Sequence, residues 1–137
     1  MQLANKILLV DDDSMFNIIN EKIIDMSPIA LQVHSCHSAN EALGYLKELI
    51  TQDASSFPDT IFLDINMPEM DGWEFLEELE KFPSVALKYC RIYMHSSTID
   101  ESDIEKSKSF KMVVDFIPKP LQVLMLEQIF TSDNKIG

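Results

Sequence analysis

Five times along its 137 residues the chain passes from a short apolar run into a segment with apolar residues at helical spacing. Strands that alternate with helices pair in parallel, because each crossover helix returns the chain to the same end of the sheet. A parallel strand covered on both faces reads as a continuous apolar run, whereas a strand with one wet face alternates. Ile7–Val10, Ile61–Leu63 and Ile92–Met94 are continuous and predict central strands. Leu31–Cys36 alternates and predicts an edge, and Val113–Ile117 supplies the fifth strand. The expected architecture is α/β: a flavodoxin-like, doubly wound (βα)5 fold. It has a five-stranded parallel sheet of order 2-1-3-4-5, helices on both faces and right-handed crossovers.

The helical segments carry their own signals. Ser14–Met26 places Met15, Ile19, Ile23 and Met26 at helical spacing before Pro28 stops it. Ser38 and Glu41 form a capping-box pattern ahead of a helix with Leu43, Leu46 and Ile50 inward. A loop from Asp64 to Gly72 leads to a third helix with Phe75, Leu76, Leu79 and Phe82, closed by Pro83. Trp73 at its start is expected to pack half exposed. Thr98 and Glu101 suggest a second capping box, opening a fourth helix to about Phe110 with only Ile99, Ile104 and Phe110 apolar. The fifth helix, Leu121–Phe130, is expected to turn Leu121, Leu124, Met125 and Ile129 inward, with the polar tail Thr131–Gly137 fraying. Residues 1–137 read as a single domain with its core at about 6–130. No repeat, linker, second domain or output domain is expected.

Charge narrows the function. Eleven basic against 23 acidic residues give a net charge of −12, and no basic cluster occurs. Nucleic-acid binding depends on Lys and Arg neutralising phosphates, so DNA and RNA are not expected partners. The same charge disfavours anionic membrane surfaces. No window approaches the ~20 apolar residues of a membrane span, and the N-terminus lacks the pattern of a secretory leader, which makes a cytoplasmic location the expectation. His34, Cys36 and His37 lie close together but fit no zinc spacing; they read as ordinary strand and strand-end residues, and Cys90 has no C-x-x-C partner.

In a doubly wound sheet, ligands bind beyond the carboxyl ends of the strands where the strand order reverses. Asp11, Asp12 and Asp13 follow the first strand, Asp64 the third, Ser96 and Ser97 the fourth, and Lys119 and Pro120 the fifth. Clustered carboxylates are costly unless a cation compensates them. Oxygen-only ligands select a hard ion, and Mg²⁺ suits a few carboxylates together with water and a phosphate oxygen. Asp64 is then placed to act as a nucleophile toward phosphorus, with Lys119 and Ser96 contacting the phosphoryl oxygens.

At these residues the chain resembles the receiver domains of response regulators in two-component signalling. Ile7-Leu8-Leu9-Val10-Asp11-Asp12-Asp13 is similar to the family's start. The segment Ile61 to Gly72, with Asp64-Ile65-Asn66-Met67-Pro68 at its centre, is similar to the phosphoacceptor loop. Phe116-Ile117-Pro118-Lys119-Pro120 is similar to the C-terminal lysine-proline signature. The resemblance spans residues 6 to about 130. It implies a regulatory phosphoacceptor rather than an enzyme with an external substrate, related to the stand-alone chemotaxis regulators. Asp64 would be phosphorylated. Asp12, Asp64 and the Asn66 backbone carbonyl would hold Mg²⁺, with Asp11 acting through a water. Lys119 would bind the phosphate ahead of a cis Lys119–Pro120 bond, and Ser96 and Phe116 would be the switch pair. The implied donor is a phosphohistidine of a histidine kinase or phosphotransfer protein. The output would pass to an unknown protein through the face of the fourth helix, fifth strand and fifth helix.

Two positions depart from the family's commonest pattern: Ser97 stands where alanine is usual, and Phe116 where tyrosine is frequent. His95, alternating with Ser96, is expected to point away from the pocket. Met67 and Met70 read as loop packing, and Asp13 as a surface or helix-cap residue. Two other functions fit parts of the pattern. A haloacid-dehalogenase-type phosphohydrolase would use Asp11 and Asp13 two apart, but lacks its later acidic pair. A pseudo-receiver would bind partners without phosphorylation.

Overall fold

The computed structural model describes residues 5–29 and 31–136. Five parallel strands, β1 (Asn5–Val10), β2 (Leu31–Cys36), β3 (Thr60–Leu63), β4 (Arg91–Ser96) and β5 (Val113–Pro118), form one sheet in the order β2-β1-β3-β4-β5. The expected flavodoxin-like order is therefore observed. The helices are α1 (Ser14–Met26), α2 (Ala39–Gln52), α3 (Gly72–Leu79), α4 (Ser84–Leu87), α5 (Glu101–Ser107) and α6 (Val123–Ile136). The one-turn α4 follows Pro83, where the sequence signalled only a stop. The expected fourth and fifth helices are thus α5 and α6.

Strand alternation divides the core in two. Leu8, Val10, Ile61, Leu63, Ile92 and Met94 face α2 and α3, packing on Leu43, Leu46, Phe75, Leu76 and Leu79. Ile7, Leu9, Phe62, Tyr93 and Ile117 face the other way, toward Ile24, Leu126 and Phe130. Both faces of β1, β3 and β4 are buried along Ile7–Val10, Ile61–Leu63 and Ile92–Met94, which is why these are uninterrupted apolar runs. Of the edge strands, β2 alternates in exposure, while β5 exposes Val114, Asp115 and Pro118.

Four expectations are corrected by the packing. In α1 the buried positions are Asn17, Asn20 and Ile24, while Met15 and Met26 lie exposed. That face of α1 meets backbone and imidazole groups, so amides take the inner positions and methionines the outer ones. In the last helical segment Leu121, Leu126 and Phe130 are buried and Leu124 is 64% exposed. Leu121 belongs to the preceding loop, so its phase does not carry into α6, which also extends to Ile136 rather than ending at Phe130. The cap of α5 is Asp100, whose side chain accepts from Asp103 N, not Thr98. Trp73 is only 5% exposed, because its ring stacks on Phe110 with centroids 5.9 Å apart.

The Cys36 and Cys90 thiols are buried and unpaired, and burial pushes both up to about 12. His34 stacks on Tyr45 at 3.9 Å between centroids, in agreement with the structural reading of that cluster. Among the described residues no helix is long and apolar enough to cross a membrane.

Candidate functional site

The site is built from the first residues past three strands. Asp11 donates its backbone N–H to Cys36 O (3.1 Å), Asp64 to Val10 O (2.9 Å) and Lys119 to Ser96 O (3.1 Å). Each bond continues a sheet ladder by one step, so backbone pairing fixes where these side chains leave the rim of the sheet. Carboxylate oxygens of Asp11, Asp12 and Asp64 lie within 4.8 Å of one another, and among the described residues they are the one acidic, His or Cys cluster able to hold a metal ion. Asp11 and Asp64 are buried, and Asp12 is exposed at the rim.

Lys119 enters this cluster from the β5–α6 loop. Its Nζ lies 2.6 Å from Asp11 Oδ2 and 3.3 Å from Asp64 Oδ1, and 4.7 Å from the centroid of the Phe16 ring. The Lys119–Pro120 bond is cis, as the resemblance implied. Burial works against the Lys119 ammonium, but its bonds to Asp11 and Asp64 outweigh that and hold its pKa above the usual lysine value. Burial, reinforced by the Asp11 charge, pushes Asp64 up to about 6 despite the pull of Lys119. Three carboxylates against one ammonium leave an excess of negative charge among oxygen donors, which fits a hard divalent cation.

The loop after Asp64 is held by backbone contacts. Gly72 donates its N–H to Ile65 O at 2.8 Å, and Met70 to Pro68 O at 2.8 Å. A Cβ on Gly72 would come 2.6 Å from Asp64 O, so only glycine lets α3 begin this close to Asp64. Asp71 caps α3 by accepting from Glu74 N (2.9 Å), and Glu74 Oε1 accepts from Asp71 N (3.0 Å). Glu69 adopts a left-handed φ of 69°, turning the chain toward that cap. Asn66 is exposed; Ile65 and Met67 are buried, and Met70 packs partly buried against the core.

The other sequence-identified residues fall around this cluster. Ser96 ends β4 with its hydroxyl donating to Thr98 O at 2.8 Å. Phe116 pairs with Met94 in the β4–β5 ladder and lies half buried against the α2/α3 core. Ser97 is exposed. Asp13 is the N-cap of α1, its carboxylate accepting from Met15 N at 2.9 Å, while its backbone N–H donates to Asp11 Oδ1 at 2.9 Å. His95 points to the opposite face from the core that Met94 enters, as expected.

Sequence reasoning missed Phe16, Asn17 and Asn20. Asn17 Nδ2 donates to Asp11 O at 3.0 Å, tying α1 to the first site carboxylate. The available signal was two asparagines three apart, set among Met15, Phe16, Ile18 and Ile19 in the first half of α1.

The fold and the acidic rim with its single lysine place a polar site at the carboxyl ends of the strands of a doubly wound α/β domain, and comparison with known proteins gives its family. Residues 7–131 match the response regulator receiver domain, and the chain belongs to that family. A two-component response regulator from Cytophaga hutchinsonii superposes with a TM-score of 0.86 at 28% identity, covering 98% of this chain and 99% of that one. A response regulator receiver protein from Dyadobacter fermentans gives a TM-score of 0.81 at 31% identity, covering 94% and 97%. Among curated relatives, a protein-glutamate methylesterase/protein-glutamine glutaminase of Burkholderia pseudomallei is 32% identical over 121 residues, which are 88% of this chain but 30% of that protein. The chain thus spans about a third of the curated relatives of this kind. As a receiver domain it belongs to two-component signalling, whose receivers interact with histidine kinases or phosphotransfer proteins.

Proposed function

We propose that the chain works as a single receiver domain that takes a phosphoryl group from a phosphohistidine onto Asp64, with Mg²⁺ in the acidic pocket. The observation that carries the phosphoacceptor reading is the Lys119 ammonium 3.3 Å from Asp64 Oδ1, within a cluster of three carboxylates. An Asp64 carboxylate oxygen attacks phosphorus, the P–N bond to the donor imidazole breaks with its electron pair passing to nitrogen, and the donor ring, already protonated on its other nitrogen, leaves as neutral imidazole. Asp12, Asp64 and the Asn66 backbone carbonyl would hold Mg²⁺, with Asp11 acting through a bound water. Bound there, the ion supplies positive charge for the carboxylates and an orienting contact for a phosphoryl oxygen. Lys119 then shifts from balancing carboxylates to contacting a phosphoryl oxygen.

The signal leaves through changed protein contacts rather than through turnover of an external substrate. Ser96 exchanges its bond to Thr98 O for a phosphoryl oxygen, and Phe116 moves inward behind it. This shifts a two-state equilibrium through contacts that exist only with the phosphate. The face made by α5, β5 and α6 suits the output role. Ile104, Val114 and Leu124 are 45%, 52% and 64% exposed there, one on each element.

Intact mass after incubation with acetyl phosphate and Mg²⁺ tests the reading. Wild type is expected to gain one phosphoryl group, and Asp64→Asn or metal-free protein none. A wild type that gains nothing would mark the chain as a pseudo-receiver.

A further inference from the structure

A second polar cluster lies beneath the pocket, between α1, β4 and the loop carrying Lys119. Asn20 and His95 are 1% and 2% exposed, among the few polar side chains in the core. Three hydrogen bonds join them to the chain. Leu121 N donates to Asn20 Oδ1 at 2.9 Å, Asn20 Nδ2 lies 3.0 Å from His95 Nε2, and His95 Nδ1 lies 2.9 Å from Ile117 O.

The proton positions follow in order. A backbone N–H can only donate, so the Leu121 bond puts the Asn20 carbonyl toward Leu121. The Asn20 amide then faces His95 Nε2, which must accept. The imidazole proton is therefore on Nδ1, donated to Ile117 O, which can only accept. A neutral ring is required, and burial holds His95 down at about 4, helped by the Lys119 charge and opposed by Ile117 O and Asp11. The two anchored backbone groups, Ile117 O and Leu121 N, bracket Lys119 from either side. The residue before Lys119, Pro118, has no N–H to hold the segment.

We propose that Asn20 and His95 are positioning residues for phosphoryl transfer: they clamp the Ile117–Leu121 segment at both ends and so aim Lys119 at Asp64. The proposal rests on the phosphoacceptor reading of Asp64. The pair also ties Lys119 to β4 next to Ser96, whose carbonyl accepts from Lys119 N. Any shift of the β4 end on phosphorylation is thereby passed to the lysine loop.

The test compares His95→Leu, which breaks two of the three bonds, with His95→Gln, whose amide can donate to Ile117 O and accept from Asn20. His95→Leu is expected to slow phosphorylation by acetyl phosphate roughly 10- to 100-fold. His95→Gln is expected to restore most of the rate. Because Lys119 competes with the ion for Asp11 and Asp64 rather than holding it, Mg²⁺ affinity by calorimetry does not fall in either variant. Nitrogen NMR of wild-type His95 is expected to show a neutral ring protonated on Nδ1. Full activity in His95→Leu, Mg²⁺ affinity falling in step with the rate, or a ring protonated on Nε2 would each overturn the proposal. The NMR result stands even if a variant fails to fold. A wild type that takes no phosphoryl group sinks the phosphoacceptor reading, and this proposal with it, in a way no variant result could mimic.

Discussion

At neutral pH Asp64 is ionised against the preference of its surroundings, which raise its pKa from 3.8 to about 6. Between those values the folded chain holds a proton that the unfolded chain releases. Stability is therefore lost as pH rises through that window, and above it the ionised carboxylate destabilises the metal-free fold. Asp64→Asn should stabilise the metal-free protein at pH 7 by about 1–2 kcal/mol, an advantage that shrinks toward pH 4 in thermal melts. Equal melting temperatures at pH 7 would contradict the charge argument. Gly72 carries a separate constraint, since a methyl group there would meet Asp64 O at 2.6 Å. Gly72→Ala should cost about 1–3 kcal/mol in urea unfolding and slow phosphorylation, because the backbone that yields is that of Asp64, the proposed phosphoacceptor. Asp11, Asp64 and Lys119 could be singled out from sequence because each follows a strand directly. Asn20 and His95 could not, because an asparagine in a helix and a histidine in a strand acquire their roles only once a partner 75 residues away is brought alongside.

Among the helices, α5 stands apart: it buries no residue, whereas α2 buries four and α3 five. Local opening is cheapest where few apolar contacts are lost, so α5 amides should exchange with deuterium faster than those of α2 or α3. Protection of α5 equal to that of α3 would contradict that ordering. The sparse apolar content of that segment was already visible in sequence. The phases of α1 and α6 were misread for different reasons. In α1 a polar inner face reversed the rule that apolar residues point inward. In α6 a loop residue was counted into the helical period. The first error comes from what the helix meets, the second from where the helix begins.

For the whole molecule the acidic rim sets the dependence on metal. An ion that binds the folded chain alone stabilises it by mass action. Adding Mg²⁺ at about 100 times its dissociation constant should raise stability by about 2.7 kcal/mol, read as a higher melting temperature that chelation reverses. Asp12→Ala should reduce that gain, and a Mg²⁺ effect of the same size in that variant would count against the proposed ligand set. The sequence by itself determined the strand order, the two-sided core and the carboxylates and lysine at the strand ends. Those follow from local patterns: a continuous apolar run must be buried on both faces, and a residue directly after a strand is delivered to the rim. Only the tertiary structure decided which face of α1 is inner, why residue 72 must be glycine, and that a histidine–asparagine pair braces the lysine loop. Those depend on distances between segments far apart in the chain, and no local pattern encodes such distances.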